Sequence, residues 1–208
     1  ANEKGEFSEV VEPIAGENFA DKMVRFSPRR ISVPARSKQS IRVLLRKPQN
    51  LADGEYRSHL VFRKLPSQKS ILDQNGEQNT VGFSLRPIVE VTIPVIVRHG
   101  AMSASMALAN AEIKQKNELE AELELTITRE GNRSLYGDLN VWLIKNDGVK
   151  RNIGMARGIA VYTPNDKRIF NLPLDLKDQS LENGKLLLEF NEDPAYGGNL
   201  RADIERPL

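Results

Sequence analysis

The stretch VGFSLRPIVEVTIPVIVR, Val81–Arg98, carries an apolar residue at every odd position. Val81, Phe83, Leu85, Pro87, Val89, Val91, Ile93, Val95 and Val97 alternate with Gly82, Ser84, Arg86, Ile88, Glu90, Thr92, Pro94, Ile96 and Arg98. Successive side chains of a strand point to opposite faces, so this period of two predicts a β-strand with one apolar row. The run is far longer than the usual strand of about five or six residues. Pro87 and Pro94 lack a backbone N–H, so neither sits inside a ladder bonded on both sides. The expectation is a long strand, bent near Pro87 and again at Pro94, with one edge partly free. A free edge beside an apolar row templates pairing with another chain, which proteins normally avoid. Used on purpose, it is β-strand addition. The simpler alternative is that the odd positions fill the domain's own core, and the pattern alone leaves both open.

The same period recurs outward from this strand. Ile41, Val43 and Leu45 alternate within Gln39–Lys47, and Tyr56, Ser58, Leu60 and Phe62 within Glu55–Leu65, with Ala52-Asp53-Gly54 as the turn between them. After Arg98, the small, polar stretch His99–Ser105 reads as an interdomain linker. In Asn117–Arg129 the Glu and Leu residues favour a helix by propensity, yet Leu119, Ala121, Leu123, Leu125 and Ile127 keep strict period two, and the period decides for a strand. Further strands are expected at Leu139–Lys145, Gly158–Thr163, Arg168–Leu174, Lys185–Phe190 and Leu200–Glu205, with Asn146-Asp147-Gly148 as a hairpin signal. A chain of 208 residues suits two domains of about 100 residues. The reading is therefore all-β, with two immunoglobulin-like β-sandwich domains over residues 1–100 and 101–208.

Composition removes several chemistries. With no cysteine, disulfides, thiolate nucleophiles and Cys-type metal sites are excluded. His59 and His99 belong to no zinc-binding spacing, and no nucleotide-binding glycine motif or nucleophile elbow occurs. No cofactor, metal or catalytic residue is expected, and the chain is not read as an enzyme. No apolar run is long enough to span a bilayer, so membrane insertion is not expected. The 30 Lys and Arg nearly balance the 28 Asp and Glu, but Lys22 to Ala52 holds nine cations and no acid. A polyanion could be drawn to it. Phe26 is the lone aromatic among these cations, however, so base stacking has no platform, and solvated strand faces are the preferred reading over nucleic acid.

Gln39-Ser40-Ile41-Arg42, Asp53-Gly54-Glu55, Leu65-Pro66, the long strand closing in Val97-Arg98, and Tyr196-Gly197-Gly198 near the end occur in this order. This ordered set resembles the PapD-like periplasmic pilus-assembly chaperones over most of the chain. The resemblance implies two immunoglobulin-like domains in the periplasm, holding fimbrial or pilin-like subunits whose fold lacks a strand, and working with an outer-membrane usher. The chaperone lends its own strand, without ATP. Val81, Phe83, Leu85, Val89, Val91 and Ile93 are then the donor row. Glu55 and Arg98 match positions that join an acid of the second domain in an interdomain salt bridge. That acid precedes Tyr-Gly-Gly in the family, where Ala195 stands here, and Asp193 two positions earlier is the candidate.

Other positions depart from the family. Its lysine anchor for a subunit's terminal carboxylate falls at Pro94, leaving Arg86 as the candidate substitute. The first domain is expected to be incomplete at its N-terminus, with strand edges open to self-association. Ser67–Thr80 resembles the long loop of one subgroup. Two other readings stay open: a PapD-like structural or adaptor module without chaperone activity, and a carbohydrate-active β-sandwich hydrolase, which would need two facing carboxylates.

Overall fold

The computed structural model describes residues 1–8, 10, 12–65, 88–117, 120–176 and 181–208. Among them the regular structure is antiparallel β, with one short 3-10 turn, Pro194–Tyr196, and no α-helix. Two compact units form. The larger contains residues 1–18, 50–55 and 98–208, and the smaller residues 19–49 and 56–97.

In the smaller unit, β1 (Val24–Ser27) pairs with β2 (Arg42–Leu45). β3 (Gly54–Arg63) pairs with β4 (Glu90–His99), and both strands have one end in the larger unit. The larger unit holds β5 (Ala104–Gln115), β6 (Glu120–Gly131) and β9 (Lys167–Asp175) in one sheet, ordered β5-β6-β9. Its other sheet contains β7 (Leu135–Lys145), β8 (Lys150–Val161), β10 (Gly184–Glu192) and β11 (Arg201–Pro207), ordered β11-β10-β7-β8.

Period two is what builds the larger unit. Leu123, Leu125 and Ile127 of β6 are fully buried, as are Leu139 and Val141 of β7 and Leu186, Leu188 and Phe190 of β10; one core unites both sheets. The residues between them face outward. Helix propensity differs by only a fraction of a kcal/mol per residue, whereas burying each Leu or Ile contributes about 1.5–3 kcal/mol, so the row overrides the helix-favouring composition of β6. The hairpin signal also forms: the Gly148 amide donates to the Lys145 carbonyl at 2.9 Å, and Gly148 has φ 84°, which glycine adopts without strain. The sequence suggested a separate strand from Gly158. Instead β8 is continuous from Lys150, because bulges opposite Asp138 and near Trp142 absorb its extra residues.

Two further differences concern the first half. Residues 1–18 cluster with the larger unit, where the Ile169 amide donates to the Glu3 carbonyl at 2.8 Å and the Phe7 and Tyr162 rings lie 5.8 Å apart. The expected linker is shorter than predicted and pinned. Asn132 donates to the Ala101 carbonyl and accepts the Ser103 amide, both at 2.8 Å, while Asp53 accepts the Ala101 amide at 3.0 Å.

The smaller unit buries little. Among its described apolar residues, only Ala20, Met23 and Val97 are buried. The Met23 carbonyl accepts the Arg46 amide at 2.8 Å and the Ser58 hydroxyl accepts the Ala20 amide at 3.0 Å. β2 covers only part of the expected Gln39–Lys47, since its ladder extends no further than β1 supplies partners. Val43, Leu44 and Leu45 are exposed although they point to both faces.

Candidate functional site

Two arrangements stand out, an uncovered strand and a buried polar cluster. Along β4 the odd row passes from Val97, 6% exposed, to Val91, 56% exposed, and Val89 beyond the strand's end is as open. Ile93 is exposed as well, so Val89, Val91 and Ile93 do not fill a core of their own chain among the described residues. Ile88 and Ile96 on the opposite face are also exposed. β3 is the one ladder neighbour of β4 among these residues, with the Lys64 amide donating to the Val89 carbonyl at 3.0 Å and Arg63 paired with Glu90. Among the described residues the other edge of β4 has no ladder neighbour and lies beside exposed aliphatic side chains. Covering each of these would contribute about 1 kcal/mol, with ladder hydrogen bonds in addition. Val81, Phe83, Leu85 and Arg86, the remaining donor and anchor residues, lie outside the described residues, as does the loop Ser67–Thr80.

The polar cluster lies in the larger unit. The Glu55 side chain is fully buried, and its Oε2 accepts Arg98 Nε and the Ser134 amide, each at 3.1 Å. Its Oε1 accepts the Ser134 hydroxyl. Arg98 also donates to the Tyr196 carbonyl. Beside this, Arg133 forms a two-pronged pair with Glu192, at 2.6 and 2.9 Å, and Glu192 accepts the Asn199 and Leu200 amides at 3.1 Å each. Burial of Glu192 favours its neutral form, but Arg133 and the two amides outweigh that and hold its carboxyl below the usual carboxylate range. Arg129, also buried, spends its guanidinium on the carbonyls of Asn165 at 2.8 Å, Gly131 at 2.7 Å and Arg133 at 3.2 Å.

Glu55 and Arg98 are thus brought together, and Asp193 has a different task. Its carboxylate accepts the Ala195 amide at 2.8 Å and caps the turn Pro194–Tyr196, which closes on Gly197. The Ser134 amide and hydroxyl bond Glu55, and the Tyr196 carbonyl accepts from Arg98. The signal for the cap was present in Asp193-Pro194, an N-cap residue followed by proline at the first helical position. The sequence reading missed Ser134, Arg133 and Glu192, since their partners lie far away in the chain.

Asp138 and Asp193 line one open groove of about 660 Å³ with Tyr136, Tyr196 and Arg157. Asp138 accepts the Gly158 amide at 3.0 Å, as Asp193 accepts that of Ala195. Among the described residues no group of three His, Cys, Asp or Glu is placed to hold a metal ion, and no helix is long and apolar enough to cross a membrane.

No family model matches the chain, and no curated protein does. Among solved structures, DesR, a β-glucosidase from Streptomyces venezuelae in complex with D-glucose, is similar over 51% of this chain and 15% of its own, at 15% identity and a TM-score of 0.33. The chain spans a small part of that enzyme, and a likeness of this extent carries no argument about fold or activity.

Proposed function

We propose that this chain is a PapD-like periplasmic chaperone, not an enzyme, which binds fimbrial or related surface subunits by lending them a strand. The observation that carries the reading is the edge of β4 that has no ladder neighbour among the described residues, with Val89, Val91 and Ile93 exposed beside it. A subunit lacking one strand exposes an apolar groove and unpaired backbone groups, both costly in water. β4 supplies what such a groove lacks, alternate aliphatic side chains and a free ladder edge. Release is an exchange of one strand for another, which requires no ATP, and an outer-membrane usher is the natural site for it.

The same reading takes both halves as immunoglobulin-like. The orders β5-β6-β9 and β11-β10-β7-β8 support it for the second half, being three strands facing four around one core. The Glu55–Arg98 pair then fixes the ends of β3 and β4 from which the donor edge extends. Pro94, exposed at the place of the family's carboxylate-anchoring lysine, favours a second reading, an adaptor that engages partners without chaperoning them.

Co-expression with β-rich subunits encoded beside this chain, followed by capture, tests the choice. Wild type should retain a subunit and keep it soluble, while Val89→Arg, Val91→Arg should lose it with its own fold intact, since a dry groove offers a guanidinium no partner. Capture without improved subunit solubility would favour the adaptor. Equal capture by both forms would move the binding surface away from β4.

A further inference from the structure

The cationic stretch preceding Ala52 has no part in strand donation, and its geometry points to a partner of definite chemistry. Paired residues of an antiparallel ladder share a face. In the β1–β2 ribbon Val24 pairs with Leu45 and Phe26 with Val43, whereas Arg25 pairs with Leu44 and Ser27 with Arg42. One face is therefore apolar, and the other carries Arg25 and Arg42, continued by Arg46. Phe26, Val43, Leu44 and Leu45 are all exposed, so neither face is covered among the described residues. Arg25, Arg42 and Arg46 form no ion pair among those residues either, and each strand of the ribbon has an edge without a ladder neighbour there. A two-stranded ribbon alone is marginally stable, and this one holds apolar surface and unbalanced charge in water.

We propose that the ribbon docks a strand of a protein partner in which apolar and acidic residues alternate. Added at the ribbon's edge, such a strand places its apolar side chains on the face of Val43 and Leu45 and its carboxylates on the face of Arg42 and Arg46, meeting both needs in one register. Nucleic acid would use the charge but not the aliphatic face. The aromatic ring there, Phe26, already has the Arg29 guanidinium 5.7 Å from its centre. The inference stands without strand donation by β4, whose row is a different surface of the same unit.

The probes are labelled peptides alternating valine with glutamate or valine with lysine, and an oligouridylate, measured by fluorescence anisotropy on the whole chain. The valine–glutamate peptide should bind and the lysine peptide should not. Arg42→Gln, Arg46→Gln should weaken binding about tenfold, as for two partly exposed ion pairs, and salt should weaken it in the wild type. Val43→Ser should weaken it through the other face, and Val89→Arg, Val91→Arg should leave it unchanged. Equal binding of both peptides, tighter binding of the oligonucleotide, absence of peptide binding, or loss of binding in the β4 variant would each overturn the proposal.

Discussion

Replacing Glu55 with alanine is predicted to destabilise the larger unit by about 3–5 kcal/mol, the cost of breaking a buried pair. The carboxylate is fully enclosed and accepts three hydrogen bonds, one from Arg98 and two from Ser134. Its loss orphans the Ser134 amide and hydroxyl donor in a buried site, at about 1–3 kcal/mol each when unsatisfied. Arg98 suffers less, because its side chain is 29% exposed and retains the Tyr196 carbonyl. The reverse change, Arg98→Met, should fall at the lower end of the range, since both Ser134 donors still hold the carboxylate. A double-mutant cycle should return a coupling of about 1–3 kcal/mol. Trp142, the sole tryptophan, lies on β7 in the same unit, so urea unfolding followed by its fluorescence reports the change directly. A loss below about 1 kcal/mol for Glu55→Ala would match an exposed pair and refute the reasoning.

Acid should act on the larger unit through Glu192. Its folded-state pKa is depressed, so its contribution is fully present above the unfolded carboxylate range, about 4.3, and is lost as pH falls through the lower folded value. Glu192→Gln should flatten that part of the pH dependence in urea melts between neutral and strongly acidic buffer; an unchanged profile would exclude Glu192 as its source. The two units should also differ in tolerance. Leu188→Ala empties a fully buried site and should cost about 2–5 kcal/mol, whereas Val43→Ser, at a site half open to water, should change the melt by less than about 0.5 kcal/mol. Comparable losses by calorimetry would mean that Val43 is covered in solution.

What was legible in the sequence was whatever period two encodes. Leu123, Leu125 and Ile127 announced a strand despite helix-favouring neighbours, because the alternation records which side is buried. The continuity of β8 was not legible, since its bulges depend on the register with β7. Nor was the docking of residues 1–18 on the larger unit, a tertiary contact without a local pattern. In the polar cluster, Glu55 and Arg98 came from a family resemblance, and the fold brings them within 3.1 Å of each other. Ser134 and Glu192 were hidden because a Glu that caps, pairs or faces solvent looks the same in a sequence; only the fold distinguishes them. The cap that Asp193 provides was legible in its own neighbour, since Pro194 follows it at the start of the turn.

Amide hydrogen exchange over Glu90–Val95, in the free chain and in a complex with a captured subunit, tests the central claim most directly. β4 has β3 on one side only among the described residues, so amides directed to its other edge should exchange quickly in the free chain, and those directed to β3 slowly. Strand donation predicts that the fast amides become protected on binding, in alternation along the strand, while the slow ones change little. A stable complex in which these amides still exchange as in the free chain would contradict the account.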